Sequence, residues 1–152
     1  MPEIARPTFV EDRVSADDAK GALEQERAEA FFERYGSALT TGDLDAIALC
    51  YSYPSLVVTD TASRSLACPE EVIAAFGGAD EMDEAVGLTH AVASIQTIDS
   101  PASGIAWVTV RWSYRDCSDE EKFADAYRYL LREVESTLAI CTVTPVPVDW
   151  RA

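Results

Sequence analysis

The sequence predicts an α+β domain, with helices grouped on one face of a curved antiparallel sheet. Two observations carry that prediction. Helical apolar spacings occupy the chain between residues 15 and 76, and alternating strand patterns fill it from Thr89 to Val148. Within the strand half, GIAWVTVRWSYRD (104–116) sends Val108, Val110, Trp112 and Tyr114 one way and Trp107, Thr109, Arg111 and Ser113 the other. The first set is apolar and is expected to face the helices. The second still carries a tryptophan, which suggests a subunit contact on the outer sheet face.

Each element has its own signal. Residues 1–14 contain two prolines and mixed charge and read as a loose arm. Ser15, followed by Asp17 and Asp18, suits a helix start, because acids favour the positive end of the helix dipole. The helix is expected to reach about Thr40, with Phe31, Tyr35, Ala38 and Leu39 on one apolar face and Glu29, Glu33 and Arg34 off it. Gly42 can take the left-handed position that closes it. Asp43 then caps a second helix carrying Leu44, Ile47, Ala48 and Tyr51, which Pro54 is expected to end.

SLVVTD (55–60) is a short β-branched strand, and SLAC (65–68) returns beside it. PEEVIAAF (69–76) starts on proline and two acids and precedes two glycines, so it is a third helix. Residues 77–88 read as a loop or broken helix. Four strands follow, over 89–99, 104–116, 122–134 and 136–148, and 149–152 form a tail. The domain is therefore expected to span 15–148.

At 152 residues and 48% hydrophobic, the chain suits one domain with a sizeable core. Its net charge is −15, unevenly spread: between Tyr35 and Val110, Arg64 is the only base, against ten Asp and Glu. That excess argues against nucleic acid and against an anionic membrane surface, since both need clustered Lys and Arg. Cys50, Cys68, Cys117 and Cys141 form no C-x-x-C pair, and His90 is the only histidine, so no metal or other cofactor is assigned. No signal peptide or membrane-length apolar run is read, and a cytoplasmic protein with reduced thiols is expected.

The stretches ERYGSALTTGDLDAIALCY, SLVVTD, PEEVIAAF and GIAWVTVRWSYRD resemble the nuclear transport factor 2-like (NTF2-like) superfamily, in its SnoaL-like and ketosteroid-isomerase-like branch, over roughly residues 20–145. The resemblance implies a cone: the sheet wraps around the long helix and leaves a pocket at its wide end. It also implies homodimers through the outer sheet face, at Trp107, Thr109 and Arg111. Fold alone does not settle function, because the superfamily holds enzymes, ligand binders and assembly domains.

Ketosteroid isomerase uses a helix tyrosine, an aspartate base at the end of the first strand, and a protonated acid deeper in the sheet. The resemblance puts the first on Tyr35. The base falls on Thr59, or on Asp60 if one residue is inserted. The third falls near Tyr127, where no carboxylate matches; Asp125 stands two residues earlier, on the face of Tyr127 and Tyr129. His90 is a further candidate base. Turned inward, Trp112, Tyr114, Tyr127 and Tyr129 would make an aromatic ligand wall, together with Tyr51, Val108 and Val110. Three functions stay open: a domain binding a small, largely apolar molecule; an enzyme transferring protons through Tyr35, Asp60 and His90; and an assembly domain whose cone is filled by side chains.

Overall fold

Helix α1 spans Val10–Thr41 in the computed structural model, which describes residues 10–77 and 87–148, with side-chain surroundings from residue 25 onward. It begins five residues before the expected start at Ser15. No glycine or proline separates Val10 from Ser15 in the sequence. Residues 10–14 are therefore helix, not arm. The rest of the expected arm, the 149–152 tail and residues 78–86 of the expected loop lie outside the described residues.

The helix buries Ala28, Phe31, Phe32, Tyr35 and Ala38, a stripe at helical spacing that adds Ala28 and Phe32 to the expected one and leaves Leu39 half-buried. Glu29, Glu33 and Arg34 are exposed, as their positions off the stripe require. Gly42 stops the helix with φ 70°: its N–H reaches the Leu39 carbonyl at 3.3 Å, and the Asp43 N–H reaches that of Ala38 at 3.1 Å. Asp43 then caps α2 (Leu44–Leu49) by accepting from the Ala46 N–H at 3.1 Å.

Pro54 does not end this helix. The chain leaves α2 at Cys50, and strand β1 already runs from Tyr51 to Val58. Proline is tolerated there because the ladder is irregular between Tyr51 and Leu56, where a missing N–H breaks no regular pairing. Serines bridge the gap: Ser55 Oγ donates to the Ile140 carbonyl at 3.0 Å and Ser52 Oγ to the same oxygen at 3.3 Å. Strand β2 (Ser63–Leu66) folds back on β1, and α3 covers Pro69–Phe76 as expected.

The long strands are β3 (His90–Ala102), β4 (Ile105–Arg115), β5 (Glu121–Val134) and β6 (Thr137–Val146). They join β1 and β2 in one sheet of order β2-β1-β6-β5-β4-β3, with β2 and β3 at its open edges. Every pairing is antiparallel except β1 with β6, which is parallel, so the sheet is not wholly antiparallel as expected. Antiparallel pairing is natural for hairpin neighbours; β1 and β6 are joined by most of the chain and are free of that constraint. Register shifts in β3–β4, β4–β5 and β5–β6 bend the sheet around α1.

The helix meets the sheet through rings. Phe32 lies 5.0 Å from Tyr129 and 6.3 Å from Trp112, and Tyr35 lies 5.8 Å from Trp112, all between centroids. Val108, Val110, Trp112 and Leu131 are fully buried beneath. Gly36 is a point of close approach between α1 and the sheet. A Cβ there would stand 3.2 Å from the Trp112 ring and 3.5 Å from the Ala91 carbonyl. Replacing Gly36 with valine should therefore cost about 2 kcal/mol by overpacking, despite glycine's poor helix propensity. Urea unfolding of Gly36→Val checks this, and a variant as stable as the parent would refute the close approach.

Candidate functional site

Between α1, α2, α3 and the concave face of the sheet lies a cavity of about 850 Å³. That volume is within the range of pockets for drug-sized ligands. Its floor is phenolic and aromatic, formed by Tyr35, Tyr51, Trp112 and Tyr129. Leu39, Ile47, Leu66, Phe76 and Val143 add apolar wall. Exposed residues, among them Thr41, Arg64, Thr89 and Phe123, mark its outer end.

The floor has a countable hydrogen-bond inventory. Tyr35 and Tyr51 hydroxyls lie 2.7 Å apart, so one donates to the other and one hydrogen is left over. Trp112 Nε1 donates to the Tyr129 hydroxyl at 2.8 Å, and that hydroxyl keeps its own hydrogen. Burial pushes Tyr35 and Tyr129 well above the ordinary phenol range, and Tyr51 is raised for the same leading reason. The three phenols are therefore neutral donors at neutral pH. Two O–H groups face the cavity without a described protein acceptor.

One carboxylate joins the wall. Asp125 accepts from the Tyr114 hydroxyl at 2.9 Å, and Tyr127 is a second phenol in the same lining. Burial raises its pKa above the ordinary aspartate value, and the two phenols pull the other way without reversing it. His90 lines the rim. Its Nε2 is 2.9 Å from Asp119 Oδ1, and its Nδ1 is 3.0 Å from Thr89 Oγ1. His90 and then Arg115 hold the Asp119 carboxyl below its usual range.

The structure thus brings Tyr35, Tyr51, Trp112, Tyr114, Tyr127, Tyr129 and His90 to one cavity. Asp60 is not there. β1 ends at Val58, and Asp60 sits exposed in the β1–β2 turn, which Thr59 closes through its hydroxyl bonds to Ala62. Neither Thr59 nor Asp60 lines the cavity, so the carboxylate in the wall is Asp125. Val108 and Val110 are also absent from the lining, being sealed in the packed core. Sequence reasoning passed over two partners. Asp119 meets His90 because the β4–β5 hairpin folds over the start of β3. Arg64 reaches the lining from β2, and its isolation among ten acids was the available signal. Among the described residues no cluster of His, Cys, Asp and Glu could hold a metal ion.

Cone, helix and cavity together define an NTF2-like domain. The model for the family described as NTF2-like protein (DUF6841) matches residues 24–148, and the chain belongs to that family. Comparison with curated proteins returns no match. An NTF2-like protein of unknown function from Shewanella oneidensis superposes with a TM-score of 0.64 at 18% identity, covering 80% of this chain and 98% of its own. An NTF2-like protein with a cystatin-like fold from Novosphingobium aromaticivorans gives 0.62 at 14%, covering 99% and 95%. A ketosteroid isomerase-like protein from Erwinia carotovora gives 0.55 at 12%, covering 82% and 96%. At these identities the likeness shows the fold alone.

Asp125 also sets a pH signature. Its folded pKa is raised above its unfolded value, so its contribution is fully present below the unfolded pKa. It is lost as pH rises through the folded pKa. Asp125→Asn, which cannot ionise, should therefore compare more favourably with the parent at pH 7 than at pH 3. Urea unfolding at both values checks this, and an identical difference at both would contradict it.

Proposed function

We propose that the cone binds a small, largely apolar molecule carrying a hydrogen-bond acceptor at its buried end. The observation that supports this is the cavity of about 850 Å³, walled by aliphatic and aromatic groups, with two uncommitted phenolic donors at its floor. A cone filled by its own side chains, as an assembly domain would have, fits that volume poorly. Proton transfer is a second reading, favoured by the raised pKa of the wall carboxylate Asp125. It would assign the base to Asp125 rather than Asp60.

The donor inventory makes a specific test. Benzophenone and diphenylmethane differ by one carbonyl, and calorimetric titration should show the ketone preferred. Tyr35→Phe and Tyr51→Phe each leave one hydroxyl free to donate, so each alone should cost little. The double variant removes both and should lose more than the two singles together. Additive losses, or an unchanged preference in the double variant, would refute the role of the pair.

A homodimer through the outer sheet face is proposed as well. Support comes from the apolar content of that face, around Thr109, which is itself sealed within one protomer. Trp107 beside it is only partly buried under the Arg128 guanidinium, 4.8 Å from the ring centroid. Arg111 is tied to Glu121 by bonds of 2.8 and 3.0 Å, which hold that carboxyl down to about 2. Light scattering at micromolar concentration should give a dimer, and Trp107→Glu a monomer; a monomeric parent would end this proposal. A reducing, cytoplasmic setting is supported by four free thiols. Among the described residues no helix is long and apolar enough to cross a membrane.

A further inference from the structure

Resting on the reading of the cone as a ligand site, the geometry points to Arg64 as the residue that selects the ligand's other end. We infer that the ligand is an amphipathic carboxylate whose acid group meets Arg64 at the outer end of the cavity.

The first support is position. Arg64 pairs with Val57, Val57 with Val143, and Val143 with Tyr129, so the four residues form one row across β2, β1, β6 and β5. All four line the cavity. Three strand spacings separate the ends of that row, about 14 Å between backbones. The row runs from a cation, across two valines, to a buried phenol. A molecule lying along it would meet charge, then apolar surface, then a hydrogen-bond donor.

The second support is the state of the polar groups. Among the described residues Arg64 is the only lysine or arginine in the lining, and it makes no ion pair there. Its half of the chain offers ten acids and no other base. Two of the cavity's acceptor groups already have partners: Asp125 Oδ1 in Tyr114, and the His90 ring in Asp119 and Thr89. Arg64 and the phenolic floor add donors for which no protein acceptor is described. Such a site favours oxygen acceptors at both ends of the ligand. A planar guanidinium at one of them matches a carboxylate through two parallel bonds.

The net charge of −15 works against any anion at a distance. A preference for an acid would therefore be a local property of Arg64, which makes a single substitution decisive. Arg64 is exposed on the edge strand β2, so Arg64→Gln should fold; circular dichroism checks this.

The probes are decanoic acid and its methyl ester at pH 7, titrated calorimetrically into the full chain. The parent should bind the acid about tenfold more tightly than the ester, the scale of one charge-assisted contact. Arg64→Gln should remove that preference, weakening the acid much more than the ester. An ester bound as tightly as the acid by the parent would overturn the assignment of Arg64 alone and leave the cone as a ligand site. A preference that survives Arg64→Gln would overturn it too. Binding of neither probe would overturn the ligand reading for acyl chains, and this inference with it.

Discussion

Trp112 stands at a close approach of helix α1 to the sheet, and much of the cone depends on how it is held. Its ring occupies the space that a side chain at position 36 would need, which is why a glycine is found mid-helix there. Its Nε1 donates to Tyr129, one strand over, so the indole is tethered to β5 as well as packed against α1. The ring is 1% exposed, and a buried indole without an acceptor would leave an unsatisfied donor. Helix, β4 and β5 are therefore fixed relative to one another at a single residue. The height of the cavity floor follows from that.

The floor's composition has a physical consequence for what the cavity can hold. Leucine or phenylalanine at positions 35, 51 and 129 would pack the same space without polar atoms. Phenols instead bring hydroxyls that must find partners, and three of them sit in one buried group with only two internal bonds among themselves and Trp112. Burial also keeps them protonated, since a phenolate there would be desolvated. The result is a surface that offers hydrogen atoms and little else. It shares a sheet face with a carboxylate, Asp125, which pairs with Trp112 across the strands and accepts from Tyr114.

Much of this architecture was legible in the residues. The α1 stripe, the Gly42 stop, the Asp43 cap, the Pro69–Phe76 helix and the alternation of β4 all follow from local chemistry, and the structure has each of them. What misled was context. Pro54 reads locally as a helix terminator, yet it lies in a strand whose ladder is irregular at that point. Phe32 reads as flanking the stripe, yet the curved sheet reaches far enough around α1 to bury it. The parallel β1–β6 pairing has no local signature at all. The candidate site divides the same way. Side chains on regular elements, such as Tyr35 and Tyr127, had faces that spacing could assign. Asp60 sits in a turn after the strand has ended, where alternation no longer says which way a side chain points.

His90 shows why the last step from residue to role needs the register. As the only histidine it draws attention in any reading of the chain, but its chemistry depends on what holds its two nitrogens. β3 begins at His90 opposite Arg115, the last residue of β4, so the ring lies under the hairpin that joins β4 to β5. Asp119 in that hairpin adopts φ 64° and is 65% exposed. It bonds both the His90 ring and the Arg115 guanidinium. Both ring nitrogens are thus engaged by the protein's own rim. In this arrangement His90 ties the hairpin to the cavity mouth, and among the described residues Arg64 and the phenolic floor offer donors to a ligand entering the cone.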